Sequence, residues 1–453
     1  MKQSLPQVKY DLIKLNGGWD LITPTLSLNP GYVKDAINFE CSQTGGYSRI
    51  DGYERFDGRS KPSDATYIIF AIASFTTVPV VGDVVTNQTG TPTAKVIAVT
   101  STYVAVTKVV GTFSEGDTIK VGASVVGTYS ILSDLISSKV DAQYLALAAE
   151  QYRTDIQPIT GSGPIRGVVA FNDIVYALRD NAGGTAVNLW KSSSSGWVQI
   201  NFEYEVSFTA GTTLPADGAT LTKGGVTATV RRVMTESGAR TGTAAGRFII
   251  SAPSGGNFSA GAATLTGGAT VTLSGIQTEI TLVPGGKFEF VQANFYGRSS
   301  SLRLYWVDGV NRCCEFDGTY VCPITTGSNP DQPKHVAAHK NHLFLSINSS
   351  IIHSGIGEPY KWQPIDGAGE IATGDTITNL MPQPGSQASG AMAIYCRSNT
   401  FILYGTSSSD WNFVQFNTGT GALDYTIQNM RDTYVLDDRG VSSLQTTLNY
   451  GNF

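Results

Sequence analysis

The sequence predicts a mainly β protein: a β-propeller with two inserted small β-barrel or sandwich modules and one short helix. Three observations predict this fold. A unit of short strands recurs along the chain, a second pattern occurs twice between those units, and the composition favours strands over helices. Gly accounts for 50 of the 453 residues, and glycine-rich chains with many Thr, Val and Tyr residues are typical of short strands joined by tight turns.

The recurring unit is clearest at 334–365. It begins with the apolar strand His335–Ala338, breaks at Lys340-Asn341 and continues as the β-rich strand His342–Ser346. Once the long excursion after Ile200 is set aside, successive units start about 40–55 residues apart, which is the spacing of propeller blades. Such units cannot bury both faces alone, so they stack around an axis. Similar units occupy 168–200, 291–324 and 390–416, and the four units close at Trp197, Tyr320, Trp362 and Trp411.

The stretch 15–59 is expected to be extended and rich in turns, because prolines and glycine pairs interrupt it. Two strands, Asn38–Glu40 and Tyr47–Tyr53, are predicted on either side of a Gly45-Gly46 turn. This strand pair completes a blade or lies along a neighbouring subunit, and the sequence leaves both alternatives open.

Two segments, 78–130 and 205–281, break the rhythm of the blades. Both carry alternating apolar residues that predict half-buried strands, and they occupy different positions between the other strands. We therefore predict two insertions that fold as units, and we expect a Gly-Ser linker in place of 78–130 to leave a soluble β-rich protein. The matching stretches are Val84–Thr86 with Ala219–Leu221, Thr93–Val96 with Thr227–Val230, and Gly111–Gly116 with Gly256–Gly261.

One helix is predicted at Asp134–Arg153. Ser133 or Asp134 can cap its start, and Pro158 bars its continuation. We expect this helix to pack on the rim of the propeller through an amphipathic stripe formed by Leu135, Val140, Tyr144, Leu147 and Ala148.

The resulting domain map has five parts. A further blade opens at Asp432–Leu444, and it is expected either to be incomplete at Phe453 or to be closed by the N-terminal strands. The parts are 1–77 with the N-terminal strands and the start of the propeller, 78–130 as the first module, 131–204 with the helix and a blade, 205–281 as the second module, and 282–453 with the remaining blades.

Composition excludes several classes of protein. The charged fraction is 15% and the net charge is −5, whereas a nucleic-acid binder normally shows a basic surface. The chain has no long apolar run and no apolar region of a signal peptide, so we expect a protein that is made in the cytoplasm and does not enter a membrane. Its five cysteines form no CxxC pair, which predicts reduced and mostly buried thiols.

Histidines are the first candidates for a site. His335, His339 and His342 fall within one short segment, and on a helix their spacing would suit Zn²⁺. Here they span a strand, a turn and a strand, so we favour histidines that are hydrogen-bonded at a blade turn over a metal site.

Carboxylates and cysteines suggest other chemistry. Asp437-Asp438 and the group of Asp51, Glu54 and Asp57 could serve a glycosidase, but adjacent residues on a strand point to opposite faces and Asp-Gly sequences form turns. The same alternation argues against Cys313-Cys314 as a redox pair. Arg231, Arg232, Arg240 and Arg247 give the second module a local positive bias, which is more often a solvated surface than a nucleic-acid site. The sequence thus predicts no catalytic, cofactor-binding or metal-binding residue and no enzyme.

Three stretches carry a resemblance to a known family. The segment 16–59, YGTSSSDWNFVQF (404–416) and TYVLDDRGVSSL (433–444) resemble the tail nozzle family of short-tailed bacteriophages, also called tail tubular protein B or tail hub. The resemblance implies a virion structural protein of the viral tail, a homohexamer whose ring encloses the channel for genome ejection. It implies contacts with the tail adaptor and with tail fibre or spike proteins. Genomic DNA would pass through the lumen without sequence-specific binding, because acidic and polar groups repel its phosphates.

Two other functions remain open from the sequence. Propeller loops and protruding β-modules that are rich in Tyr and Trp could recognise host glycans, which would make this a receptor- or glycan-binding tail protein. An enzyme is the third alternative. A ring with a central channel would favour the nozzle over both.

Overall fold

The computed structural model describes residues 16–41, 46–50, 52–131, 136–214, 216–239, 241–383, 390–430 and 432–444. The chain forms two compact units. Unit 1 comprises Met1–Phe56 and Lys61–Thr154, and unit 2 comprises Asp57–Ser60 and Asp155–Phe453. The chain is a mainly β protein that contains one α-helix within the described residues, which confirms the predicted fold class.

Unit 1 begins with two small sheets. Strands β1 (Gly18–Trp19) and β2 (Tyr32–Val33) pair in parallel, and β3 (Phe39–Cys41) and β4 (Tyr47–Arg49) pair antiparallel. The predicted hairpin therefore forms, although Gly45 of its turn lies outside the described residues. Each pair is a sheet of its own, so the hairpin does not complete a blade in the described part of the chain.

A closed six-stranded antiparallel barrel follows. Its first strand lies upstream of the predicted boundary at Val78, because Phe70 and Ile72 point into the barrel and the strand pairs along its length with the fourth strand. The barrel strands are β5 (Tyr67–Ile72), β6 (Val84–Thr86), β7 (Thr93–Val99), β8 (Tyr103–Val110), β9 (Thr118–Val121) and β10 (Ser124–Ser130).

Helix α1 (Ser138–Asp155) packs on this barrel. Its buried residues Tyr144 and Ala148 contact Ile97 and Ala105 of the barrel, and the Tyr144 hydroxyl lies 2.9 Å from that of Tyr103. The expected packing on the propeller rim is thus wrong, since the barrel supplies the apolar surface. The proposed cap and first stripe residue (Ser133, Asp134 and Leu135) lie outside the described residues. None of the described helices combines the length and hydrophobicity needed to span a membrane.

Unit 2 contains four four-stranded antiparallel sheets, here called blades 1 to 4, and a three-stranded terminal sheet. Blade 1 consists of β11 (Ile165–Phe171), β12 (Ile174–Asp180), β13 (Val187–Lys191) and β14 (Val198–Ile200). The second module lies between blades 1 and 2 in the chain. Its strands are β15 (Tyr204–Gly211), β16 (Thr220–Lys223), β17 (Val226–Ser237), β18 (Ala244–Ile250), β19 (Gly261–Leu265), β20 (Thr270–Leu273) and β21 (Thr278–Glu279).

The remaining sheets follow in chain order. Blade 2 consists of β22 (Glu289–Ala293), β23 (Arg303–Val307), β24 (Cys314–Phe316) and β25 (Val321–Pro323). Blade 3 has β26 (His335–His339), β27 (His342–Ile347), β28 (Ser350–His353) and β29 (Gly369–Ala372), blade 4 has β30 (Ile377–Pro382), β31 (Met392–Cys396), β32 (Thr400–Tyr404) and β33 (Asn412–Asn417), and the terminal sheet has β34 (Gln428–Asn429), β35 (Thr433–Asp437) and β36 (Gly440–Ser443). Short 3-10 helices lie at Thr25–Ser27, Pro62–Asp64, Ser299–Ser301 and Pro364–Asp366.

Tight two-residue turns join the first two strands of blades 1 and 3. Asn172-Asp173 and Lys340-Asn341 all have positive φ angles between 48° and 60°. Two consecutive residues with positive φ are typical of a type I′ turn, whose twist matches that of a hairpin. The polar break that marks the repeat in the sequence is therefore the hairpin turn itself.

Neighbouring blades share apolar cores. Leu178 of blade 1 packs with Trp306 and Phe316 of blade 2, and Ala337 and Phe344 of blade 3 pack with Ile394 of blade 4. Blade 4 packs in the same way on the terminal sheet. The first strands of successive blades lie side by side, so unit 2 is a β-propeller.

The second module repeats the barrel of unit 1. When the strands of each module are numbered 1 to 6 from β5 and from β15, both barrels have the same cyclic strand order, 1-4-3-2-5-6. Pairing of β15 with β18 closes the second barrel, and β21 pairs with β15 as an additional strand. Phe208 and Phe248 stack at 4.1 Å inside the second barrel. The common order explains why β5 belongs to the first barrel, since it occupies the place of β15.

Candidate functional site

A pocket of about 820 Å³ lies where three parts of unit 2 meet. Strand β17 of the second module forms one wall, the loop that joins β22 to β23 in blade 2 forms the second, and the loop that follows β28 in blade 3 forms the third. We call it the junction pocket. Its volume falls within the range of about 300–1,000 Å³ that is usual for small-molecule sites.

Glu315 organises the base of this pocket. Its side chain is fully buried on β24, directly opposite Tyr305 on β23. The hydroxyls of Tyr305, Tyr296 and Tyr360 donate to its carboxylate at 2.7, 3.2 and 2.6 Å. Hydrogen bonds to a charged acceptor are stronger than neutral ones, so this carboxylate fixes three aromatic side chains of two blades.

The three tyrosines stay protonated. Burial, reinforced by the charge of Glu315, raises the pKa of Tyr296, Tyr305 and Tyr360 above the ordinary value of 10.0. They therefore act as hydrogen-bond donors at all working pH values and do not serve as general bases.

Arg232 joins the second module to blade 2 at the pocket. Its guanidinium pairs with Asp317 at 2.5 Å and with Asp217 at 3.4 Å. Burial acts to lower the pKa of Arg232, but neighbouring groups that include the Glu315 and Asp217 carboxylates outweigh it and raise the pKa above its ordinary value. Arg232 therefore stays positively charged and links the second module to blade 2 in the wall of the pocket.

Cations at the pocket rim are held less tightly. The Lys361 ammonium lies 3.6 Å from Glu358 and 3.9 Å from Asp366, beyond hydrogen-bond distance. Arg298 is exposed and makes no ion pair with a described residue. Tyr296 is 38% exposed beside them, and the Arg303 guanidinium lies 5.9 Å from the centre of its ring.

The histidines form a different cluster in blade 3. His339 and His342 face each other across the β26–β27 turn, and His342 contacts His353 edge to face. Trp411 of blade 4 donates its indole N–H to His353 Nε2 at 3.1 Å, while the ring N–H groups of His342 and His353 donate to the Ser354 carbonyl. No group of three or more His, Cys, Asp or Glu residues in the described chain is placed to hold a metal ion.

His339 should make the stability of unit 2 depend on pH. Burial, with Lys340 and His342 nearby, lowers the pKa of His339 from 6.5 to about 4. The unfolded chain therefore takes up a proton below pH 6.5 that the folded chain resists until about pH 4. We expect the contribution of His339 to the Tm to be constant above pH 6.5, to fall as the pH decreases towards 4, and to level off below.

Calorimetry of a His339→Gln variant checks this. The variant should lose part of the fall in Tm between pH 6.5 and 4, because it carries no proton-accepting ring. An equally steep fall in the variant and in the wild type would show that other groups cause it.

The remaining candidates are dispersed. Asp437 caps the Asp438-Arg439 turn, whereas Asp438 is exposed and pairs with Arg397. Asp57 is buried and accepts the Gln157 N–H at 3.0 Å. Glu54 is exposed, and Asp51 lies outside the described residues. Asp437, Asp438 and Asp57 thus each serve a separate structural contact.

Cys313 and Cys314 point to opposite sides of blade 2. Cys313 lies in the core shared with blade 3, and Cys314 lies in the core shared with blade 1. Burial raises the pKa of both thiols, that of Cys314 to about 12. Both are therefore unreactive thiols that fill apolar cores. Of the other cysteines, Cys322 and Cys396 are buried and Cys41 is exposed.

The described arginines of the second module are paired with carboxylates. Arg231 pairs with Glu203 at 3.1 Å, and Arg247 pairs with Glu205 and Glu236. Arg240 lies outside the described residues. Arg247 therefore joins strands within the module, whereas Arg232 joins the module to blade 2 through Asp317.

Sequence reasoning missed the junction pocket. Glu315, Tyr296 and Tyr360 come from two different blades, and Arg232 was assigned to a surface. The one local signal was Glu315 itself, an acidic residue between Cys314 and Phe316 in an otherwise apolar strand.

Comparisons with known proteins give structures of low similarity only. No protein-family model matches the chain, and no curated protein matches it. Two crystal structures of BBS1N in complex with ARL6DN align at 9% identity with TM-scores of 0.25 and 0.26, covering 64% and 86% of this chain and 92% and 96% of theirs. The crystal structure of Sqt1 from Saccharomyces cerevisiae aligns at 9% identity with a TM-score of 0.27, covering 86% of this chain and 97% of that chain. Likenesses this weak carry no argument about function.

Proposed function

We propose that this protein is a structural subunit of a bacteriophage tail, one member of a homomeric, sixfold ring of the nozzle or hub type that encloses the DNA exit channel. One observation supports an assembling subunit. Large apolar side chains that solvent reaches are concentrated in the N-terminal stretch 16–56; they are Trp19, Leu21, Ile22, Leu26, Tyr32, Ile37, Phe39, Ile50, Tyr53 and Phe56.

The exposure of this stretch is extreme. Ile22, Leu26 and Tyr53 are 95%, 102% and 97% exposed, so the fold of a single chain covers almost none of their surface. Large exposed apolar surface on a protein marks an interaction site. Burying such side chains against another subunit stabilises the assembly by about 25 cal/mol per Å² of apolar surface.

The two small sheets present this surface in a defined form. The Tyr47 hydroxyl accepts the Gly18 N–H at 3.0 Å and donates to the Gly31 carbonyl at 2.8 Å. One side chain thereby links β4 to the β1–β2 pair. Because these hydrogen bonds already order the N-terminal stretch, it loses less conformational entropy when it binds a neighbouring subunit.

Ring formation can be tested with charged substitutions in the N-terminal stretch 16–56. We expect the wild-type protein to form rings with a central channel in negative-stain microscopy and a matching mass in light scattering. Ile22→Asp with Leu26→Asp should shift assembly to at least tenfold higher protein concentration, because two buried charges would oppose the contact. Ile365→Asp is the matched control, since Ile365 is 90% exposed in blade 3, and it should assemble as the wild type does.

Two results would contradict the proposal. Wild-type protein that remains monomeric at all concentrations would remove the ring. Rings that form equally well with both sets of substitutions would show that the N-terminal stretch is not the contact.

A further inference from the structure

We propose that the junction pocket binds a saccharide that carries a carboxylate group. This inference does not depend on ring assembly, because the pocket is built entirely within unit 2 of one chain.

Exposed polar side chains at the pocket favour an oxygen-rich ligand. Arg298, Ser300 and Glu358 line the pocket and are exposed to solvent. They offer hydrogen-bond donors and acceptors to a ligand with several hydroxyl groups.

Aromatic surface in the same pocket suits a sugar ring. Phe295, Tyr296 and Tyr360 line it, and the carboxylate of Glu315 fixes the orientation of the two tyrosines. Tyr296 combines an anchored hydroxyl with a partly exposed ring. A rigid aromatic side chain with an apolar face and a polar edge provides contact area at a low entropy cost.

The rim cations select for a carboxylate. Arg232 is already occupied by Asp217 and Asp317, whereas Arg298 makes no ion pair with any described residue and Lys361 is held only at 3.6 and 3.9 Å. Arginine recognises carboxylates through two parallel hydrogen bonds. Glu358 also lines the pocket, so a ligand with a single carboxylate fits better than a ligand of high negative charge.

Titration calorimetry at low ionic strength tests this inference. The probes are a trimer of galacturonate, a sialylated trisaccharide and the neutral trisaccharide maltotriose. We expect one of the two acidic probes to bind at least tenfold more tightly than maltotriose, and which one binds identifies the hexuronate or the sialic acid as the source of the carboxylate.

Arg298→Gln should weaken the binding of the acidic probe at least tenfold. Arg153→Gln is the matched control, because Arg153 lies on α1 and is exposed, and it should bind as the wild type does. Both substitutions are at exposed positions, so circular dichroism should show unchanged folding. Absence of binding by both acidic probes, equal binding of maltotriose, or equal effects of the two substitutions would each overturn the inference.

Discussion

Replacing Glu315 by Gln should lower the free energy of unfolding of unit 2 by about 3 kcal/mol. The substitution keeps the shape of the side chain but removes its charge. Three tyrosine hydroxyls would then compete for one carbonyl oxygen, while the amide N–H groups face donors. The buried guanidinium of Arg303, 3.7 Å away, would also lose a compensating charge.

Denaturant unfolding followed by tryptophan fluorescence checks this effect, since Trp306 lies in the neighbouring core of blade 2. Glu358→Gln is the matched control. Its side chain is 52% exposed at the pocket rim, and surface ion pairs contribute about 0–1 kcal/mol. If Glu315→Gln were no more destabilising than Glu358→Gln, Glu315 would not be the residue that stabilises the pocket.

Deleting the first barrel should succeed or fail according to where the cut is made. A Gly-Ser linker in place of 78–130 leaves β5 behind without its partners β8 and β10. Phe70 and Ile72, which are 0% and 1% exposed in the barrel, would then face water. We expect this variant to aggregate, which reverses the outcome anticipated from the sequence.

Replacing 61–154 by a linker should instead leave unit 2 folded. Asp57–Ser60 belongs to unit 2, where Asp57 holds the Gln157 N–H and Arg59 donates to the Asp155 carbonyl. The two ends of the cut are therefore already joined by hydrogen bonds. Soluble yield, circular dichroism and the unfolding midpoint of the two variants measure the difference. Two variants that aggregate alike would show that unit 2 needs unit 1 to fold.

Local patterns were sufficient for much of the fold. Alternating apolar residues and polar turns such as Lys340-Asn341 located most blade strands. The matching stretches in the two modules correspond to two equivalent strands and one equivalent loop of two barrels with one topology. The boundary of the first barrel was not visible, because Tyr67–Ile72 has no equivalent among the matched stretches and its place depends on pairing with distant strands. Blade 3 does not close at Trp362 as predicted, because its fourth strand follows at Gly369–Ala372.

The candidate site was beyond local patterns for a similar reason. The tyrosine hydroxyls that donate to Glu315 come from two blades, and Arg232 comes from an inserted module. Residues so far apart in sequence become neighbours only when the blades stack. By contrast, the opposite orientation of Cys313 and Cys314 follows from alternation along one strand, and that part of the analysis needed no tertiary information.

The pairing of β15 with β21 has a consequence for how the propeller folds. Tyr204 lies opposite Glu279 in this pairing, so the strands by which the chain leaves blade 1 and returns to blade 2 are neighbours. Once the second barrel has closed, the segment between blades 1 and 2 behaves as a short connection. The two blades can then pack together at the small cost in loop-closure entropy that adjacent repeats have. We therefore expect the second barrel to close first, because its contacts are nearer in sequence. The core between blades 1 and 2 forms afterwards, when the closed barrel has brought the ends of the two blades together.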